Sequence, residues 1–378
     1  MTFEKSSYQS LNSLQTVCLK QNIPFVSYRL PLQKDITTFV QHLSIPEKLD
    51  SLIQSDTKTG FVIAPFLEND NHSTYLLNPD KIFHSDNIER QFIQTLENNS
   101  CFLSTEPAFE EEFQTSSSED FIQQVNNAKK SIVEGAFHKV VLSKIRLGKL
   151  KADFDAGNFF LHLCEKYPHA FVYMIQLPRV GCWIGATPEP LLVISGENVR
   201  TVSLAGTQIA TEAGINAYEW SQKEIEEQGI VTDFVEKTLQ SLDIKDYSKI
   251  GPVNYRAANL IHLKTSFEFA RTDLKNRLGD FLKALHPTPS VGGLPKKEAH
   301  DFILANEKHD RAYYTGFLGP INIDGETNLF VNLRCLQLFK KEFVLYSGAG
   351  ITASSVAERE WEETDNKMMT MLNAINNL

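Results

Sequence analysis

Apolar residues along this chain recur with two periods. Runs rich in β-branched and apolar residues mark strands at KVVLSKIRL (139–147), FVYMIQL (171–177), CWIGAT (182–187), VRTVSLAGT (199–207), NLIHLKTSF (259–267), FVNLRCLQLF (330–339) and EFVLYSGAG (342–350). Shorter runs of the same kind, PFVSYRL, GFVIAPF and STYLLN, lie before residue 115. The helical period takes over elsewhere. Phe121, Val125, Ala128 and Ile132 share one face, with Ser118 as the expected cap, Glu119 and Asp120 in the first turn and Gly135 at the exit. Two long helices are expected from about Glu219 to Leu242 and from about Val356 to Ile375. In the second, Ser355 and Glu358 match a capping box, and Trp361, Met368, Leu372 and Ile375 form the apolar stripe. Many strands with little regular βα alternation predict an α+β fold. TSSSED (115–120) punctuates the chain, so residues 1–115 read as a lead-in subdomain of the same fold and 116–378 as the main region.

Composition adds limits. The 378 residues can bury a sizeable core, and 42% hydrophobic with 22% charged residues is ordinary for a globular chain. A net charge of −10 argues against nucleic acid as a partner, and an anionic ligand would need a local basic site or a metal. The five cysteines (Cys18, Cys101, Cys164, Cys182, Cys335) form no CxxC pair, which speaks against a disulfide framework or a cysteine zinc site. MTFEKSSYQS carries no apolar signal run, and no stretch nears the ~20 apolar residues of a membrane span. Cytoplasmic localisation is the expectation.

Several polar residues stand out against this pattern. Strand alternation puts Lys139 on a face with Val141, Ser143 and Ile145. It is either an edge lysine that snorkels to water or a desolvated lysine able to act as a general base. Glu189 sits between two prolines in GATPEP, which fix its backbone; it marks either a plain turn or a dry general acid. Glu224 and Glu227 share a helix face, as do Glu360, Glu363 and Lys367. These are either solvated faces or the halves of an oxygen-rich metal site. Arg334, expected on a strand, could clamp a carboxylate, and the glycines of SGAGI (347–351) could admit an anion or make a tight turn. His262 reads equally as core or site.

Taken in order, KVVLSK, GATPEPLL, SLAGT, KEIEEQ, HLK, HPTPSVGGLP, NLRC, SGAGI and EREWEETDNK closely resemble the motifs of the chorismate-utilising enzymes, over about residues 119–376. That family comprises isochorismate, salicylate, anthranilate and aminodeoxychorismate synthases. The resemblance implies two large, mostly antiparallel sheets packed together with flanking helices and the active site in the cleft between them. It implies Mg²⁺ held by Glu227 and Glu363, with Glu224 and Glu360 close by. Arg334 and the backbone around Gly348 would bind the enolpyruvyl carboxylate, and Gly206 and Thr207 the ring carboxylate. His262 would pack near the substrate, and Lys367 would balance the glutamates. Lysine rather than glutamine at position 139 resembles the members that use water, so Lys139 is the expected base and Glu189 the expected acid. The closest likeness is to isochorismate synthases, which turn chorismate into isochorismate for menaquinone or siderophore synthesis. Salicylate synthase and a non-catalytic chorismate-binding protein are the alternatives. No glutaminase subunit is expected, and a monomer is. Departures are visible: KEIEEQ has Glu224 and Gln228 where relatives often have aspartate and histidine, GATPEP has Pro190 where they often have leucine, and Ser290 stands where a small apolar residue is often found.

Overall fold

The computed structural model describes residues 8–52, 57–85, 87–98, 113–210, 215, 218–257 and 260–376. Two nine-stranded sheets dominate it. The first runs, in spatial order, β14 (Gly293–Leu294), β7 (Lys139–Lys149), β18 (Glu342–Ile351), β17 (Cys335–Leu338), β9 (Gly181–Thr187), β8 (Phe171–Leu177), β1 (Phe25–Arg29), β2 (Thr37–Val40) and β6 (Lys81–His84). The second runs β12 (Tyr247–Ala257), β13 (Leu260–Ala270), β11 (Asn198–Ile209), β10 (Pro190–Ser195), β16 (Thr327–Val331), β15 (Phe317–Ile321), β4 (Gly60–Ala64), β5 (Tyr75–Leu77) and β3 (Glu47–Lys48). Every recorded pairing is antiparallel. The fold is therefore α+β, as the strand-rich pattern predicts. The region before residue 115 adds strands to the outer end of both sheets.

Between the sheets lies an aromatic core of Tyr28, Phe39, Phe61, Phe171, Tyr173, Trp183 and Phe330. Phe171 of the first sheet stacks on Phe330 of the second at 4.3 Å between ring centroids. Sheets that bury both faces explain why so many strands read as continuous apolar runs rather than strict alternations. The outer face of the first sheet is covered by α1 (Gln9–Lys20), α2 (Arg90–Asn98), α4 (Ala156–Lys166) and α8 (Ala357–Asn376). Helices α5 (Gln222–Ser241) and α6 (Leu278–Leu285) pack on the second sheet, and α3 (Ser118–Val133) and α7 (Lys296–Asn306) on β7 and its neighbours.

Local details depart from expectation at four places. The cap of α3 is Ser117, whose hydroxyl accepts from Asp120 N–H, and not Ser118. The Ser355–Glu358 capping box is not formed, because α8 begins at Ala357; the Ser355 hydroxyl accepts from Thr352 N–H instead. Helix α5 starts at Gln222 rather than near Glu219. Arg334 is not on a strand. FVNLRCLQLF breaks into β16 and β17, which belong to different sheets, and Arg334 occupies the crossing with φ +49°. The buried Asn332 fixes this break: its Nδ2 donates to Tyr313 C=O at 2.8 Å, and its C=O accepts from Thr315 N–H at 2.9 Å.

Candidate active site

The chain also passes from one sheet to the other at Thr187–Pro190, and Glu189 sits at that crossing. Two crossings thus carry an acid and a cation into the space between the layers. Glu189, Gly206, Thr207, Glu227, His262, Arg334, Gly348, Glu363 and Lys367 all line one cavity there. These residues come from β11, β13, β18, α5, α8 and the two crossings.

Lys139 begins β7 and is not itself among the residues that line this cavity, although its partner Glu227 is. It is no edge lysine, since Leu294 of β14 pairs with it on the outer side, and its exposure is 0%. Its Nζ lies 2.8 Å from Glu227 Oε1. A lysine nitrogen this deeply buried requires such a partner, because desolvation alone would be prohibitive. Burial pushes the Glu227 carboxyl up, but Lys139, with Lys223 and Lys367, outweighs it and holds the group below its ordinary range. The neighbouring strand makes room for the pair. A methyl group on Gly350 would overlap Glu227 Oε1 and crowd Lys139 Cε. Gly348 and Gly350 lie inside β18, not in a turn.

Two further glutamates are matched by lysines in the same way. Glu363 lies 2.7 Å from Lys367 Nζ, which also donates to Gly348 C=O at 2.9 Å. Glu360 is held by Lys223; burial still keeps its carboxyl above the ordinary range. Glu224 is a different case. Its Oε2 accepts from Ser221 N–H at 2.8 Å at the start of α5, so its carboxylate is engaged in capping. Neither Glu224 nor Glu360 lines the cavity. Among the described residues no three His, Cys, Asp or Glu side chains form a group able to hold a metal, so the expected four-glutamate cluster reduces to two carboxylates, Glu227 and Glu363, facing the cavity.

Glu189 has the opposite character. Burial pushes its carboxyl up to about 7, against the pull of the Ser290 hydroxyl and of Lys139, Lys367 and Arg334. Ser290 Oγ donates to Glu189 Oε1 at 2.8 Å and lies 2.5 Å from Thr288 Oγ1. Arg334 is braced on α8 through Thr370 Oγ1 at 3.2 Å. Burial lowers its pKa to about 10, which leaves it charged at neutral pH.

A bulge in β11 shapes the last wall. Pairing with β13 slips between Ala205 and Gln208, and Gly206 takes φ +67°, a conformation open to glycine. The Gly206 carbonyl is turned to His262 Nδ1 at 2.8 Å. Burial and the nearby Arg334 take the imidazole down to about 3, so it is neutral. A neutral ring that donates from Nδ1 to a carbonyl keeps Nε2 as an acceptor. That buried Nε2 has no hydrogen-bond partner among the described residues. Thr207 Oγ1 lies 3.4 Å from Nδ1.

Glu227 with its buried lysine, a carboxyl titrating near neutrality, a braced arginine and an unpartnered acceptor thus meet at one cleft. The family model for chorismate binding enzymes matches residues 41–376. The chain belongs to the chorismate-binding enzyme family. Relatives in it include isochorismate synthase EntC of Escherichia coli (strain K12), 31% identical over 67% of this chain and 66% of that one. Isochorismate synthase DhbC of Bacillus subtilis (strain 168) is 28% identical over 68% of each. The solved structure of MenF, the menaquinone-specific isochorismate synthase from Escherichia coli, superposes with a TM-score of 0.74 at 18% identity over 99% of this chain and 92% of that one. The two-sheet chorismate-binding fold expected from the motifs is the one observed.

Sequence reading missed Lys223, which holds Glu360, and the Ser290 contact with Glu189. It also missed the cap made by Glu224, although SQKE (221–224) carries the S-x-x-E signature of such a box.

Proposed function

We propose that this protein is an isochorismate synthase, adding water at ring carbon 2 of chorismate while the 4-hydroxyl departs. The observation that carries the reading is that one cavity wall holds both Glu227, on which a fully buried lysine rests, and Glu189, a carboxyl near neutrality. Water is a weak nucleophile and hydroxide a poor leaving group, so this reaction needs a base and an acid together. Lys139 acts in its neutral form and takes the proton of the incoming water, and Glu227 stabilises the ammonium so formed. Glu189, protonated, gives its proton to the leaving hydroxyl. His262 Nε2 accepts a hydrogen bond from a substrate hydroxyl, and Arg334 holds a carboxylate.

Mg²⁺ fits the residues present. Glu227 and Glu363 are hard oxygen donors in the cavity wall, and magnesium is commonly held by one or two carboxylates with water and substrate completing its shell. The cations among the described lining residues are Arg334 and Lys367, and Glu363 matches Lys367. One unmatched cation facing a dianionic substrate leaves a deficit that a divalent ion fills. When bound, the metal would supply charge neutralisation and polarise the ring carboxylate.

The relatives' names support the same activity, and we read its product as destined for menaquinone. The four described cysteines are all free and buried, which suits a cytoplasmic enzyme; Cys101 lies outside the described residues. We read it as acting alone, as a monomer without a glutaminase.

The test is chromatography of the products formed from chorismate without ammonia, with and without Mg²⁺. Isochorismate in equilibrium with chorismate, only with Mg²⁺, supports the proposal. Salicylate and pyruvate, or no conversion, would contradict it. A pH prediction follows from Glu189. The acid works protonated, so kcat/KM falls as pH rises through about 7. The Ser290 hydrogen bond favours the carboxylate. Ser290→Ala should therefore move this falling limb to higher pH, and a limb that stays in place would show that Ser290 does not tune the acid.

A further inference from the structure

One arginine ties the loop that carries Ser290 to the strand that carries Lys139. Arg311 follows α7 and is buried, at 3% exposure. Its Nε and Nη2 donate to the two carboxylate oxygens of Glu307 at 2.8 and 2.6 Å. Nη1 donates to Val291 C=O at 2.9 Å, and Nη2 also to Val141 C=O at 2.6 Å. Thr315 Oγ1 accepts from Nη1 at 3.4 Å. These contacts use every N–H of the rigid guanidinium fork, so the group has one orientation. Glu307, which ends α7, is held from its other side: Oε1 accepts from Ser143 N–H at 2.6 Å and from Ser143 Oγ at 3.0 Å. Burial pushes the Glu307 carboxyl up, but Arg311, with His309 and the Ser143 N–H, outweighs it and holds the group below its ordinary range.

Through two carbonyls, Arg311 thus touches both sides of the acid–base apparatus, although it is not among the residues that line the reaction cavity. Val141 lies on β7 with Lys139, and its N–H donates to Gly292 C=O at 2.8 Å. Val291 follows Ser290, whose hydroxyl donates to Glu189. The turn at 288–292 is closed by the N–H groups of Val291 and Gly292 on Thr288 C=O, at 3.1 and 2.9 Å. We propose that Arg311, anchored by Glu307, is a positioning residue for the acid: it fixes this turn so that Ser290 Oγ stays on Glu189. The inference deepens the reading of Glu189 as the acid of isochorismate formation and rests on it for the catalytic consequence. The effect is one of geometry, since Arg311 and Glu307 face each other at 2.6 Å and their charges offset. Burial acts most on Glu189; against it pull Ser290, then Lys139 of β7, Lys367 of α8 and Arg334 at the crossing. The other titratable groups lining the cavity are Glu227, His262, Tyr314, Tyr346 and Glu363.

The test is the titration of Glu189 by ¹³C NMR of protein labelled at the glutamate δ-carbons, with Glu189→Gln to assign the signal. The pH profile of kcat/KM for chorismate is measured in parallel. The variant is Arg311→Met/Glu307→Gln, which removes both charges together and keeps similar volume, the exchange a buried pair tolerates best. The Glu189 midpoint should rise by about one pH unit, as in Ser290→Ala, because a hydrogen bond to the charged form is lost. The falling limb of kcat/KM should move with it, and the variant combined with Ser290→Ala should rise no further than Ser290→Ala alone. Leu14→Ala, a core change under α1, should lower stability without moving the midpoint. Should the double variant not fold, Arg311→Lys, which keeps the charge but lacks the fork, should show part of the rise. A wild-type midpoint in the Arg311 variants, a rise that adds in full to that of Ser290→Ala, or an equal rise in Leu14→Ala overturns the proposal. If chorismate is left untouched while the midpoints move as expected, the positioning role stands and the proposed reaction falls.

Discussion

Replacing Lys139 by glutamine is expected to lower isochorismate formation by roughly 10²–10⁴-fold, the usual worth of a positioned general base. An amide cannot take the proton of water. Lys139 is fully buried and its Nζ rests on Glu227, so nothing from solvent can stand in for it. The change also leaves Glu227 without its cation, and loss of activity alone would not separate base catalysis from lost pairing. Lys139→Arg makes the separation. Arginine keeps a positive charge for Glu227 but stays protonated at any working pH. Both variants should be inactive while still binding substrate, measured by single-turnover kinetics and by equilibrium binding. Turnover near wild type in either would remove Lys139 from the chemistry.

Removing the carboxylates that face the cavity should give the second large effect. Glu227→Ala and Glu363→Ala each delete a hard oxygen donor, and each should raise the Mg²⁺ concentration needed for half-maximal activity on the order of tenfold or more. Their effects on stability should differ. Glu227→Ala strands a lysine with 0% exposure, and breaking a buried pair in this way costs about 3–5 kcal/mol. The Glu363–Lys367 pair is more open, with side-chain exposures of 27% and 18%, so its loss should cost much less. Glu224→Ala provides the contrast. It removes a helix cap, should cost about 1 kcal/mol in urea denaturation, and should leave the Mg²⁺ requirement unchanged. A raised requirement in that variant would restore Glu224 to the metal site, and an unchanged one in Glu227→Ala would end the assignment of that residue.

Much of this architecture is visible in the chain. Strand-length apolar runs mark the sheets because both faces of each sheet are covered, and the stripe Met368, Leu372 and Ile375 marks the buried side of α8. What stayed hidden depends on partners far along the chain. Lys139 looks anomalous on its strand, yet whether it snorkels or is trapped is decided by β14, Glu227 and Gly350. The crossing at Arg334 is concealed because apolar residues on either side of it serve two different sheets; the polar Asn332 and Arg334 inside an apolar run were the available signal. Capping patterns were legible but ambiguous. Ser221 and Glu224 form the contact that their spacing suggests, whereas Ser355 and Glu358 have the same spacing and do not, since α8 starts too late. The acid–base assignment came from resemblance. The structure adds the physical reason that it is workable, in a dry glutamate near pKa 7 bonded to Ser290.

The measurement that tests the central claim most directly is the reaction of chorismate in ¹⁸O-labelled water, stopped at low conversion, with the isochorismate analysed by mass spectrometry. Water addition at carbon 2 predicts one ¹⁸O in the new hydroxyl of every product molecule and none in unreacted chorismate. Unlabelled isochorismate would mean that the original hydroxyl migrates within the substrate, and the pairing of Lys139 as base with Glu189 as acid would be contradicted.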